Sequence, residues 1–159
     1  MRPISLSLCL IALVAGIPRS VRAQVDLTLS AAPNVFVAPT IAMYDAGMNT
    51  NATGIGFTVA ATGGPANVTR TSTVSVRASS ATLGGGKALS DLEWRRSDLV
   101  TWNPMTTSDA TVEARPIRRN ITNDPWNNTV FLRMRLNWAT DAPATYSTGL
   151  VFTLTITTP

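Results

Sequence analysis

Side chains alternate between apolar and polar with a period of two, and this feature restricts the chain most. A segment with that period can bury one face only as an extended strand. Residues 130–138 carry it most clearly: Val130, Leu132, Met134, Leu136 and Trp138 share a face opposite Phe131, Arg133, Arg135 and Asn137. A slip of one residue would bury both arginines, so the register is strongly specified and Trp138 is expected in the core. Residues 25–29 set Val25, Leu27 and Leu29 against Asp26 and Thr28. Ile55, Phe57 and Val59 alternate with Gly56, Thr58 and Ala60, and Val74, Val76 and Ala78 with Thr73, Ser75 and Arg77. The closing stretch, 146–157, places Leu150, Phe152, Leu154 and Ile156 opposite Val151, Thr153, Thr155 and Thr157. These strand signals, without a long apolar stretch at helical spacing, predict an all-β chain built as sheet on sheet.

The punctuation between these runs agrees. Ala32-Pro33-Asn34, Asp45-Ala46-Gly47, Thr62-Gly63-Gly64-Pro65, Gly84-Gly85-Gly86, Asn103-Pro104, Asn123-Asp124-Pro125 and Asp141-Ala142-Pro143 each supply the glycine or proline that a turn requires. Short strands between frequent turns predict an immunoglobulin-like antiparallel β-sandwich of roughly seven to nine strands. The segment 88–119 admits two readings. Leu92 with Trp94, and Val100 with Trp102, have strand spacing, whereas Ser90 followed by Glu93 would cap a helical turn.

Residues 1–23 read as a signal peptide. Arg2 is followed by an uncharged, mainly apolar run that is too short to cross a bilayer, and Val21-Arg22-Ala23 fits a cleavage site before Gln24. Residues 24–159 then form a single domain in the periplasm, at the cell surface or outside the cell, with no transmembrane segment. The leader takes Arg2, Arg19 and Arg22 with it, so the mature chain keeps 13 − 3 = 10 basic residues against 9 acidic ones. A net charge of +1 gives no electrostatic reason to bind nucleic acid or anionic lipid. Twelve of the thirteen basic residues are arginine, in keeping with a GC-rich bacterial genome.

The domain contains no histidine, and the chain's one cysteine, Cys9, lies in the leader. A Ser-His-Asp triad, a Cys-His dyad and a histidine-bearing zinc site are therefore closed to it, and the chain is expected to be no enzyme and to use no cofactor. The acid pairs Asp91 with Glu93, and Asp109 with Glu113, could in principle serve a glycosidase, but such pairs are ordinary on solvated strand faces. Gly84-Gly85-Gly86-Lys87 lacks the earlier glycine and the following Ser or Thr of a phosphate loop, and reads as a flexible turn. Asn123, Asp124, Asn127 and Asn128 could offer oxygens to calcium, yet they are ordinary turn residues, so no metal site is assigned. The Asn-x-Ser/Thr triplets at Asn51, Asn67, Asn120 and Asn127 arise readily in so threonine-rich a chain.

Two tryptophans next to Asn/Pro turns, Trp102 and Trp126, are the candidate contacts for a protein partner or a glycan ring. Arg133 and Arg135, with Thr153 and Thr155 as expected cross-strand neighbours, read as a solvated sheet face. The C-terminal Pro143-Ala144-Thr145-Tyr146-Ser147-Thr148-Gly149-Leu150, running on through Phe152-Thr153-Leu154-Thr155-Ile156, resembles the closing hairpin of fimbrial and spore coat protein U-type secreted domains. Tyr44-Asp45-Ala46-Gly47 is similar to an aromatic-x-x-Gly stretch near their N-termini. The resemblance implies a structural subunit of a bacterial envelope, often completed by a neighbour's strand, with Tyr146 as a corner residue. It departs from the pattern in lacking mature cysteines and in ending on Thr158-Pro159 without an aromatic. The expected partners are other envelope or surface proteins or further copies of the chain, and the alternative is a carbohydrate-binding module using Trp102 and Trp126.

Overall fold

The computed structural model describes residues 25–29, 36, 38–63, 67–119, 125–141, 144 and 146–157. The expected signal peptide, together with Asn123, Asp124 and Pro143, lies outside the described residues. In chain order the elements are β1 (Val25–Leu29), the short helix α1 (Ile41–Asp45), β2 (Met48–Ala61), β3 (Arg70–Ala78), a 3-10 turn (Leu89–Asp91), β4 (Leu92–Arg96), β5 (Asn103–Pro104), β6 (Ala110–Ile117), β7 (Trp126–Arg135) and β8 (Leu150–Thr157). A five-stranded antiparallel sheet in the order β1-β2-β7-β4-β5 packs on a three-stranded one in the order β6-β3-β8. The all-β sandwich is thus present. The chain changes sheet between β2 and β3, β3 and β4, β5 and β6, β6 and β7, and β7 and β8, so most neighbours are distant in sequence.

The alternation decides which side chains fill the space between the sheets. Val74, Val76 and Ala78 of β3 are wholly buried, and Phe57, Val59, Val130, Leu132 and Met134 meet them from β2 and β7, with Leu136 just past the end of β7. The expected register of β7 is the observed one as far as Leu136. Trp138 departs from the expectation: the strand ends at Arg135, and Trp138 is 55% exposed. Asn137 causes the change, because its side-chain oxygen accepts from the Ala139 N–H while its carbonyl accepts from Thr140 and Asp141, curling the chain into a turn. Trp138 then lies over the end of the sandwich, stacked on Tyr44 at 4.5 Å between centroids and donating from Nε1 to Asp45.

Two irregularities shape the sheets. In β2 the pairing with β7 shifts between Asn51 and Ile55. There Gly54 adopts φ +69°, and the Asn51 side chain accepts from the Thr53 and Gly54 N–H groups. A Cβ at Gly54 would come within 2.5 Å of Thr129 Cγ2, so both backbone angle and space call for glycine. In segment 88–119 both readings hold in part. One 3-10 turn opens it, but Ala88 rather than Ser90 is its N-cap, and β4 follows at once. Val100 and Trp102 lie outside strands, and Val100 is 90% exposed.

Candidate functional site: one open sheet edge, an arginine face and a buried lysine

Among the described residues the two sheets have four edge strands, and these differ in how they are protected. β1 has five residues and carries Asp26; β5 has two residues and ends in proline. β6 is held to the opposite sheet by a network of charged and polar groups. Glu113, buried, accepts from Arg115 Nε at 2.5 Å and from Asn128 Nδ2 at 2.8 Å, Arg96 donates to the Val112 carbonyl, and Pro116 follows. Charges, prolines and shortness are the devices by which sheet edges resist unwanted pairing.

β8 has none of them. Its eight residues, Leu-Val-Phe-Thr-Leu-Thr-Ile-Thr, include no charge and no proline, and no charged residue follows Asp141 anywhere in the chain. Among the described residues β8 hydrogen-bonds to β3 alone, while β1 approaches it across the rim without pairing. Its inward side chains Leu150, Phe152 and Leu154 are only half-buried, although their partners Ala78, Val76 and Val74 on β3 are fully buried, and Ile156 is exposed. Among the described residues, the three-stranded layer therefore stops short of covering its own apolar surface on this side.

The candidate aromatic residues separate. Trp126 is not the exposed contact expected of it: it is the first residue of β7, it is 2% exposed, and it packs edge-on against Phe57 at 5.7 Å. Its Nε1 donates to Ser72 Oγ across the sandwich, and Ser72 donates in turn to the Arg115 carbonyl. Trp102 lies on the outer face of the five-stranded sheet, partly exposed, with the guanidinium groups of Arg133 at 4.4 Å and Arg95 at 5.1 Å from its ring centre. The two rings do not form a shared platform.

Arg133 and Arg135 do project outward, but not beside Thr153 and Thr155, which belong to the other sheet. Their neighbours are β2 and β4, and their partner is Glu93, a buried carboxylate that takes Arg133 Nε at 2.5 Å and Arg135 Nη2 at 2.6 Å. Burial alone would raise the Glu93 pKa, yet the hydrogen bonds from the two arginines outweigh it and hold the carboxyl below its ordinary 4.5. The acid pairs noted in the sequence serve separate cations: Asp91 meets Lys87, Glu93 meets Arg133 and Arg135, Asp109 meets Arg77, and Glu113 meets Arg115.

The feature that sequence reading passed over is Lys87. The glycine turn before it forms as expected, with Gly84, Gly85 and Gly86 all at positive φ and Thr82 bridged to Ala88. The turn delivers the lysine side chain inward, where it is 2% exposed. Its Nζ lies 2.6 Å from Asp141 Oδ2 and 3.1 Å from Asp91 Oδ2, and 5.5 Å from the centre of the Tyr146 ring. The Tyr146 ring packs on the same glycine turn, next to Gly85. Desolvation would lower the lysine pKa, but hydrogen bonds to Asp141 and Asp91 raise it overall. One signal did exist: Lys87 is the chain's only lysine, among twelve arginines.

Among the described residues, no helix is long and apolar enough to cross a membrane. Compared with known proteins, the chain matches no family model, no curated protein and no solved structure.

Proposed function

We propose that this chain is a non-catalytic, exported bacterial structural or assembly protein, a surface or filament component that takes a partner's strand along β8. The observation that carries the reading is the contrast between edges: three are shortened, charged or interrupted by proline, and the fourth is eight residues long and unguarded. An edge strand presents a row of backbone donors and acceptors, so an extended segment gains a ladder of hydrogen bonds by aligning with it. Half-buried Leu150, Phe152 and Leu154 add apolar surface for alternate side chains of the arriving strand to cover. The resemblance of the closing hairpin to fimbrial and spore coat protein U-type domains points the same way.

The test is native mass spectrometry and sedimentation of the purified exported protein, with pull-down from envelope extracts. Self-association or a stoichiometric envelope partner is expected. It should be lost in Thr155→Lys and Ile156→Lys, which put charge on the exposed end of β8 while leaving the circular dichroism spectrum unchanged. A strictly monomeric protein at high concentration with no captured partner, or full association by both lysine variants, would count against strand addition.

A further inference from the structure

A primary amine and a carboxyl group held in contact inside a protein are the two halves of an amide. We propose that the Lys87 ε-amine and the Asp141 carboxyl condense, with loss of water, into an isopeptide bond that joins the glycine hairpin before β4 to the turn after β7, with Asp91 as the proton carrier. Three features of the site support this. The 2.6 Å contact holds the reactants against each other, with side chains 2% and 7% exposed, so competing water is largely excluded. Holding the two groups together turns a bimolecular condensation into a unimolecular one, a gain that reaches about 10⁵ M or more in effective concentration when the nitrogen is aligned on the carboxyl carbon. A second carboxylate, Asp91, touches the same nitrogen at 3.1 Å and is one-third exposed, so it can both receive a proton and return it. Finally, the Asn137 N–H donates to Asp141 Oδ2 at 2.8 Å and fixes the carboxyl that the amine must attack.

The step balances from the ion pair. The two carboxylates favour the charged lysine, so the reacting species is the minor tautomer in which one proton has crossed the hydrogen bond from Nζ to Asp141 Oδ2, a neutral amine beside a neutral acid. The nitrogen lone pair adds to Asp141 Cγ, a second proton passes from nitrogen to Asp91, and Asp91 returns it to Oδ2 as that oxygen departs. The C–O bond breaks, a C–N bond forms, one water leaves, and no oxidant or reductant is involved. The product removes one positive and one negative charge from a buried site, where charge is held only at a desolvation cost. The nitrogen keeps one hydrogen, free to remain bonded to Asp91.

Because Lys87 is the only lysine, the test is unambiguous. The purified exported protein, denatured and digested with trypsin, should yield residues 78–95 joined to residues 136–159, uncut after Lys87. Its intact mass should fall one water, about 18 Da, below that of the same chain without the bond. Amine-reactive reagent should label no ε-amine in the denatured chain. Asp141→Ala should restore both the cut after Lys87 and the labelling. Asp91→Asn keeps a hydrogen-bond partner for the lysine but no base, and should fold while joining at least tenfold more slowly. Separate 78–87 and 136–159 peptides with full mass from the wild-type protein would overturn the proposal, as would a water loss without the joined peptide. Joining at the wild-type rate in Asp91→Asn would remove Asp91 from it.

Discussion

Replacing Trp126 with phenylalanine should cost about twice as much stability, or more, as the same replacement at Trp138, although the alternation of residues 130–138 had Trp138 as the buried ring. At Trp126 the substitution deletes the Nε1 hydrogen bond to Ser72, which in a buried setting is worth about 1 kcal/mol. It also leaves about 40 Å³ unfilled beside Phe57, and at about 24 cal/mol per Å³ that adds about 1 kcal/mol. The sum is about 2 kcal/mol, a sizeable part of a typical domain's 5–15 kcal/mol. At Trp138 phenylalanine retains the stack on Tyr44 and loses only an exposed hydrogen bond to Asp45, so the cost should stay below about 1 kcal/mol. Urea unfolding followed by far-ultraviolet circular dichroism gives both values without relying on tryptophan emission, provided the m-values match. A Trp138→Phe cost equal to or above that of Trp126→Phe would refute the assignment of Trp126 to the inside, at the start of β7, and of Trp138 to the outside, in the turn beyond it.

Further outcomes follow from the bulge and from the Glu93 cluster. Gly54→Ala should destabilise by about 2 kcal/mol, since it forces an L-residue to φ +69° and a Cβ against Thr129 Cγ2; adding Thr129→Ser, which removes that methyl, should recover part of the loss in the same urea assay. Glu93 has a folded-state pKa below its unfolded value, so its ion pairs contribute fully above about pH 4.5 and fade as the pH falls through the lower, folded value. The urea midpoint should therefore drop between pH 5 and 3, and Glu93→Gln should flatten that part of the profile while lowering stability at pH 7; an unchanged acid profile in the variant would contradict the pairing with Arg133 and Arg135.

The sandwich was legible because period-two hydrophobicity is local, and Val74, Val76, Ala78, Val130, Leu132 and Met134 are buried as their spacing requires. Trp126 shows what a closer reading could have recovered. Counting back in twos from Val130 reaches Asn128 and Trp126 in phase with the buried face, but the adjoining Asp124-Pro125 made that stretch look like a loop. Trp138 was misplaced for the opposite reason, since Asn137 ends the strand by bonding its own backbone. Partner identities were out of reach: Glu93 meets Arg133, and Lys87 meets Asp141, only because the chain repeatedly crosses between sheets. The lack of charge along β8 was visible from the start, but it acquires meaning only once β8 is known to be an edge.

An unfinished layer makes folding and association thermodynamically one question. On the proposed reading, a segment that settled beside Leu150, Phe152 and Leu154 would bind the native form and not the unraveled one, so mass action would shift the melting equilibrium; occupancy at a hundred times the dissociation constant would add about 2.7 kcal/mol. In a chain of such units, interior members would melt later than the terminal ones, and an array would lose subunits from its ends.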